Sequence, residues 1–265
     1  MNQPALRISK LTVKSTLEPG APAIVSEIGF DLRKGEILAL VGESGCGKTK
    51  TAEAIMGLLP ASHWQVTAGA IELNGTDCSD LPPASLRKLR GNEISMIFQE
   101  PLTALDPVFS CGHQVSSVLR RHLGSARNEA RDRTIKMLQQ VGFADPERIF
   151  RSYPHQLSGG MRQRVMIAMA MSCRPAVLIA DEPTTALDVT TQAQVLDQLT
   201  KLGREYGTAI LLITHDLGVV AQYADRVMVM LDGVIVETAE VENLFKQPQH
   251  PCTRQLLSYT TGAVA

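Results

Sequence analysis

The stretch from Gly35 to Pro60, GEILALVGESGCGKTKTAEAIMGLLP, constrains the fold more than any other part of the chain. It begins with a short apolar run, Ile37 to Val41, which predicts a buried strand. It ends with a segment from about Lys48 to Leu59, which predicts a helix stopped by Pro60. A glycine-rich loop between a buried strand and a helix predicts an α/β fold that binds phosphate at the loop.

The loop itself fits the phosphate-loop pattern, and its glycines allow successive backbone N–H groups to face a β-phosphate. Lys48 is expected to bridge the β- and γ-phosphates of a nucleotide, and the Thr49 hydroxyl to bind Mg²⁺. The alternative is a glycine-rich turn with an incidental lysine, which the flanking strand and helix disfavour. The predicted nucleotide-binding residues of this segment are Gly42, Glu43, Ser44, Gly45, Cys46, Gly47, Lys48, Thr49 and Lys50.

A second strand supplies carboxylates. The run from Ala176 to Ala180 in PAVLIADEP predicts a buried strand that ends in Asp181 and Glu182. Acidic residues at the carboxyl end of such a strand lie where open α/β sheets bind ligands. Asp181 is expected to hold the Mg²⁺ shell, and Glu182 to polarise an attacking water. The alternative is that both acids only terminate a strand.

Composition excludes several classes of protein. The chain has 265 residues, 44% hydrophobic content and a formal net charge of -1, and it shows no long basic stripe of the kind that nucleic-acid binders carry. No apolar run reaches the ~18 residues of a membrane span, and the N-terminus lacks a signal core. The five cysteines are scattered and form no CxxC pair, so neither a disulfide framework nor a zinc site is predicted. The sequence thus predicts a cytosolic protein that reaches any membrane through a partner.

The segment LSGGMRQRV, which begins at Leu157, predicts the start of a helix. Ser158 can cap that helix, and Gly159 and Gly160 leave backbone N–H groups exposed to an anion such as phosphate. An ordinary capped helix is the alternative. One side of the helix is polar and basic, and the other carries Met161, Val165, Ala168, Met169 and Ser172.

With these motifs in this order, the chain resembles the ATP-binding subunits of ABC transporters over nearly its whole length. The resemblance implies a phosphate-loop NTPase core of the ABC type, with an N-terminal antiparallel β-subdomain and an α-helical subdomain. We expect a single ATPase domain, residues 1–265. Its parts are a nucleotide-binding core (1–100 and 171–235), a helical subdomain that carries the signature (101–170) and a C-terminal tail (236–265).

The resemblance also implies roles for single residues. Ser158, Gly159 and Gly160 look like the signature that faces the γ-phosphate held by a second subunit, so that two ATP molecules lie between two subunits. Gln99 in MIFQEP looks like the glutamine that reaches Mg²⁺ and the attacking water; a surface amide is the alternative. Asp188 in TTALDV looks like the aspartate that couples the two sites, a role compatible with capping the helix that follows.

His215 in AILLITHDLG follows an apolar run, Ala209 to Ile213, that predicts a core strand. By resemblance it is the switch histidine that contacts the γ-phosphate, although a lone histidine after a strand is more often structural. Together with Glu182 and Gln99, it completes the predicted catalytic set.

One position departs from the family pattern. An aromatic residue that stacks on adenine is expected near residue 15, where this chain has Ser15, and no aromatic precedes Phe30. Base–aromatic stacking is worth about 1–3 kcal/mol in nucleic-acid systems. The substitution predicts weaker ATP affinity or poor discrimination among purine nucleotides.

The C-terminal segment VENLFKQPQHPCTRQLLS is similar to that of the peptide and nickel importers, with Cys252 where an aromatic is common. Its alternative reading is a short packing helix. The short chain, the missing aromatic and the absence of a cysteine-rich tail favour the nickel-type subunit over the peptide type. We therefore expect the ATPase subunit of a bacterial importer for nickel or a nickel chelate, with a peptide importer as the alternative.

The expected cofactors are ATP and Mg²⁺. The expected partners are a second, distinct ATPase subunit, two membrane permeases beside the stretch after Gln99, and, indirectly, a substrate-binding protein, at the cytoplasmic face of the inner membrane. A soluble ABC ATPase of DNA repair or translation is disfavoured because no coiled-coil insert or tandem unit is present. A non-hydrolysing regulatory module is disfavoured because Glu182 and His215 are both present.

Overall fold

The structure is a computed structural model that describes residues 3–18, 20–99, 104–185 and 187–261, without the side chains of 259–261. The chain forms two compact units, the first of residues 1–86 and 209–265, the second of residues 87–208. The predicted division into core, helical subdomain and tail has other bounds and stays a prediction. Within the described ranges, no helix has the length and apolar content needed to cross a bilayer.

The elements are numbered in chain order over the described residues. The strands are β1 (Leu6–Ser15), β2 (Val25–Leu32), β3 (Ile37–Val41), β4 (Trp64–Leu73), β5 (Thr76–Asp77), β6 (Ile94–Ile97), β7 (Val177–Asp181), β8 (Ala209–Ile213), β9 (Arg226–Leu231) and β10 (Val234–Glu240). The helices are α1 (Lys48–Met56), α2 (Pro83–Leu89), α3 (Cys111–Leu123), α4 (Arg127–Gln140), α5 (Pro146–Arg151), a 3₁₀ turn (Pro154–Gln156), α6 (Gly159–Met171), α7 (Val189–Tyr206), α8 (Leu217–Tyr223), α9 (Val241–Lys246) and α10 (Pro251–Thr261).

The first unit contains two groups of strands. An antiparallel sheet runs β2-β1-β4-β5, as the predicted β-subdomain requires. In the second group, β3 pairs in parallel with both β8 and β9, and β9 pairs antiparallel with β10. Every residue of β3 and β8 is buried, which explains why both strands read as continuous apolar runs.

Helix α1 is shorter than the sequence predicts. It ends at Met56 because Gly57 adopts a left-handed conformation (φ 61°) and donates its N–H to the carbonyl of Ala54. The prediction that the helix runs to about Leu59 and is stopped by Pro60 is therefore wrong by three residues. Glycine at this position ends the helix before proline can.

The second unit joins a parallel pair, β6 and β7, to the helices α3 to α7. Gly124 (φ 64°) ends α3 and separates it from α4. Ser110 caps α3 by accepting a hydrogen bond from the N–H of His113.

Helix α6 is buried around most of its circumference. Val165 and Ala168 of the predicted apolar face are fully buried, but Met161 and Met169 are only partly so. Gln163, on the side predicted to be polar, is 1% exposed. The helix is therefore covered on more sides than its division into a polar and an apolar face indicates.

Candidate nucleotide-binding and hydrolysis site

The phosphate loop connects β3 to α1 in the first unit. Lys48 begins α1 and is 7% exposed, and its ammonium donates hydrogen bonds to the carbonyls of Gly42 (2.8 Å) and Glu43 (2.9 Å). Its Nζ also lies 3.9 Å from the Cys46 Sγ. The loop thus curls around the lysine, and a buried ammonium at the start of a helix is a strong site for an anion.

The backbone of the loop depends on glycine at its last position. Gly47 has φ 109°, and a Cβ atom there would lie 2.6 Å from the carbonyl oxygen of Ile24. Gly47 also accepts a hydrogen bond from the buried hydroxyl of Thr51 (3.0 Å). Any side chain at Gly47 would therefore displace the loop or the residues before β2.

Burial and charge act in opposite directions on Cys46. The Cys46 side chain is buried inside the phosphate loop, and burial raises the pKa of its thiol, while the positive charge of Lys48 lowers it. Burial is the larger effect. The thiol is therefore protonated at neutral pH and is not an activated nucleophile.

His215 lies at the same strand edge as the phosphate loop. Leu40 of β3 is paired in parallel register with Ile213 of β8, so Gly42 and His215 each follow two residues after the pair. His215 is exposed, and the next residue, Asp216, caps α8 by accepting hydrogen bonds from two backbone N–H groups. The carboxyl edge of two neighbouring parallel strands is the expected ligand side of such a sheet.

In the second unit, two predicted site residues likewise follow the carboxyl ends of neighbouring parallel strands, here β6 and β7. Ile97 of β6 is paired with Ala180 of β7, so Gln99 and Glu182 each follow two residues after the pair. The Gln99 Nε2 donates a hydrogen bond to the Glu182 Oε2 at 3.0 Å. Two residues that are 83 apart in the chain are thus brought together as a pair.

A third residue, which the sequence analysis missed, holds the same carboxylate. The Thr185 hydroxyl donates to the Glu182 Oε2 at 2.9 Å. Glu182 also has φ 45°, an uncommon backbone conformation for a residue with a side chain. The Thr-Thr sequence, separated from the acidic pair by Pro183 alone, was the available signal. Two donors and a strained backbone fix the direction of the Glu182 carboxylate.

Asp181 is the last residue of β7 and is 2% exposed. The predicted Mg²⁺ ligands are divided between the units, since Thr49 belongs to the first and Gln99 and Asp181 to the second. Hydroxyl, amide and carboxylate oxygens are the ligands that Mg²⁺ prefers. Each predicted ligand therefore carries an oxygen whose chemistry fits the ion.

Ser158 caps α6, as predicted. Its side chain accepts a hydrogen bond from the N–H of Met161 at 3.3 Å. Gly160 packs against α7, because a Cβ atom there would lie 2.3 Å from the Thr191 Cγ2. This glycine therefore has a packing role that the sequence analysis did not predict.

Asp188 caps α7 through the same threonine. It accepts hydrogen bonds from the Thr191 N–H (2.9 Å) and hydroxyl (2.6 Å), and these bonds lower the pKa of the Asp188 carboxyl. The predicted structural role of Asp188 is thus confirmed. Thr191 connects Asp188 to the start of the signature helix, since it also touches Gly160.

The stretch after Gln99 is only partly described. Residues 100–103 lie outside the described residues, as does Ala186 in the segment before Asp188. Among those described, Val108 (73%) and Phe109 (47%) are exposed apolar side chains, as is Phe98 (43%), directly before Gln99. Exposed apolar side chains grouped in sequence are typical of a surface that meets another protein.

A buried parallel strand, a glycine-rich loop and a lysine at the helix start define this chain as a phosphate-loop nucleotide-binding protein. A family model described as "ABC transporter" matches residues 25–185. The chain belongs to the ABC transporter family. It has the ABC ATPase fold with an antiparallel β-subdomain, and it is an ATPase of that family.

Several characterised proteins are similar to this chain over most of its length. The oligopeptide transport ATP-binding protein AppD of Bacillus subtilis (strain 168) is 53% identical over 234 residues, which cover 88% of this chain and 71% of AppD. The dipeptide transport ATP-binding protein DppD of the same strain is 49% identical over 252 residues, which cover 95% of this chain and 75% of DppD. The peptidoglycan transport ATP-binding protein YejF of Agrobacterium fabrum is 50% identical, and the match spans 47% of its length.

Solved structures match the fold as well. The ATP-binding cassette MJ0796, determined as a dimer bound to ADP and Pi, gives a TM-score of 0.78 at 27% identity, covering 89% of this chain and 98% of MJ0796. The protein cbiO1 of Clostridium perfringens, part of the ABC transporter complex cbiONQ, gives a TM-score of 0.79 at 26% identity, covering 93% and 92%.

Proposed function

We propose that the chain is the ATP-hydrolysing subunit of a bacterial importer for peptides. The observation that carries the hydrolytic part is the Glu182 carboxylate, fixed by Gln99 and Thr185 at the edge of a parallel strand. A carboxylate held in one direction, beside a glutamine amide that can orient a water, is suited to general-base work. Lys48 and the loop amides hold the phosphates, and Mg²⁺ supplies charge neutralisation when bound.

Peptides are favoured over nickel as the cargo. The relatives described above are named for oligopeptides, dipeptides and peptidoglycan, and a further relative, at 49% identity, for glutathione. Oligopeptides, dipeptides and glutathione are peptides, and peptidoglycan contains them. None of these relatives is named for nickel. We therefore replace the nickel importer expected from the sequence with its stated alternative, a peptide importer.

The proposed assembly has two ATPase subunits, two membrane permeases and a substrate-binding protein, with this chain at the cytoplasmic face of the inner membrane. The solved MJ0796 structure is a dimer, which supports the pairing of two ATPase subunits. The exposed apolar residues Phe98, Val108 and Phe109 are proposed to meet a permease. A distinct paralogue is proposed as the second ATPase subunit, on the family resemblance.

The test of the hydrolytic role is Glu182→Gln in the purified transporter complex. The glutamine keeps the shape of the side chain and still accepts from Thr185, so ATP binding is expected to persist. The rate of phosphate release should fall by about 100- to 10,000-fold, the usual worth of a general base. Glu242→Gln is the matched control, because Glu242 is an exposed carboxylate on α9 paired with Lys246.

Unchanged phosphate release in Glu182→Gln would remove Glu182 from the catalytic set. The cargo is tested separately, by uptake of a labelled dipeptide and of nickel in host cells that carry either form. Loss of dipeptide uptake alone supports the proposal. Loss of nickel uptake alone would restore the nickel assignment.

A further inference from the structure

Trp64, the chain's sole tryptophan, begins β4 directly opposite Ser15, the last residue of β1. Residues paired in this way in an antiparallel sheet project their side chains to the same face, about 4.5–5.5 Å apart. The Ser15 hydroxyl is engaged in the turn that follows, where it accepts from the N–H groups of Leu17 and Glu18. Opposite Trp64, the end of β1 thus carries only a small side chain whose hydroxyl is bonded within the turn.

The Trp64 ring lies next to the helix that begins at the phosphate loop. The Lys50 ammonium, in the first turn of α1, is 5.5 Å from the centre of that ring. It is held there by an ion pair with Glu53 at 2.6 Å. A side chain in the first turn of α1 thus contacts the Trp64 ring, and the N-terminus of the same helix is the expected phosphate site.

A second line of contacts connects the loop to the same strands. A Cβ atom on Gly47 would touch the Val25 side chain at 3.4 Å, and Val25 pairs with Val13 of β1. Val13 in turn pairs with Val66, which is two residues from Trp64 and therefore on the same face of β4. Val66 is 45% exposed, so an apolar surface beside the ring is open.

We propose that Trp64 stacks on the base of the bound nucleotide and so takes the place of the aromatic that β1 lacks at Ser15. A nucleotide whose phosphates lie at the start of α1 extends its ribose and base along the side chains next to that first turn. A tryptophan face is the strongest stacking surface among side chains, and Lys50 is a cation on the same ring. Phe30 cannot serve, since it is 8% exposed within β2.

This inference rests on the proposed function and alters the expectation of weak ATP affinity. Ser15 alone predicts weak ATP binding, whereas stacking on Trp64 is worth about 10- to 100-fold in affinity. The ring is then a specificity-determining group supplied by β4 instead of β1. Structural support of the loop is the competing role, in which Trp64 only packs against Lys50.

The first experiment needs no mutation, since all tryptophan emission of the chain comes from Trp64. Purified full-length chain is titrated with ATP, GTP and inorganic tripolyphosphate, and binding is measured in parallel by equilibrium dialysis. We expect ATP to change the emission strongly and tripolyphosphate to bind with little change. Equal responses to both, or ATP binding without any change in emission, would overturn the inference and leave the proposed function intact.

The second experiment compares Trp64→Ala with Trp64→Phe. Affinity for ATP should fall about 10- to 100-fold in the alanine variant and recover largely in the phenylalanine variant, while tripolyphosphate affinity stays unchanged in both. Tyr206→Ala is the matched control, because the Tyr206 ring likewise lies under a cation, Arg174, in the other unit. Parallel loss of ATP and tripolyphosphate affinity would assign Trp64 to loop support and overturn the inference. Failure of the wild-type chain to bind ATP at all would overturn the proposed function with it.

Discussion

Replacing Gly47 by alanine tests how the phosphate loop is held in shape. The new Cβ atom meets the carbonyl oxygen of Ile24 at 2.6 Å, a backbone atom that cannot turn away, and the Met230 methyl at 3.0 Å, which can. Gly45 is the matched control, because it also has a left-handed backbone (φ 84°) but no atom within 4 Å of the added Cβ.

The two variants separate backbone strain from overlap. A Cβ in the left-handed region costs about 1–2 kcal/mol, which applies to both positions. Overpacking against a fixed neighbour adds about 1–3 kcal/mol, which applies to Gly47 alone. Gly45→Ala should therefore lose about 1–2 kcal/mol of the free energy of unfolding, and Gly47→Ala about 2–5 kcal/mol.

Urea denaturation of the full chain, followed by circular dichroism, measures the difference between the variants. We expect Gly47→Ala to be less stable than Gly45→Ala by about 1–3 kcal/mol. Equal losses would show that Ile24 moves aside at no cost and would refute the role assigned to its carbonyl.

Two further predictions concern a thiol and a helix cap. Alkylation of Cys46 should block ATP binding, and ATP should protect the thiol. Because burial raises its pKa, the reaction rate should climb as the pH approaches and passes 9, the ordinary value. Mass spectrometry follows the modification. Buried Cys111, whose pKa is raised to about 11, is the unreactive control. Equal rates of Cys46 alkylation at pH 7 and pH 9 would contradict the raised pKa. Ser158→Ala should lower stability by about 1 kcal/mol through loss of the α6 cap, and Ser158→Asp should restore it in thermal unfolding.

Features encoded within a few residues were predictable from the sequence. The strand before the phosphate loop has the predicted bounds, and Ser158 and Asp188 cap their helices as predicted. Capping depends on a side chain and a backbone N–H three residues apart, so the sequence contains both partners. The prediction for α1 failed because Gly57 and Pro60 both end helices, and the nearer signal prevails.

Features that depend on contacts between segments distant in sequence were not predictable. Thr185 and Gln99 meet on Glu182 only because β6 and β7 pair in one register, and no local pattern specifies that register. Gln163 is buried by the residues that pack around α6, although it lies on the polar and basic side of the helix. Trp64 faces Ser15 through a pairing between residues 49 apart, which the sequence alone does not reveal.

Ser15 is among the sequence features that favour nickel as the cargo. Ser15 lies beside the proposed base site, so it bears on nucleotide recognition and not on cargo. Within the described residues no cluster of three or more His, Cys, Asp or Glu side chains could hold a metal ion. In the proposed assembly the cargo contacts the permeases and the binding protein, and this chain meets only ATP and its protein partners. Features of its nucleotide site therefore bear on ATP binding and hydrolysis. The cargo is better inferred from relatives at about half identity, which are named for oligopeptides and dipeptides.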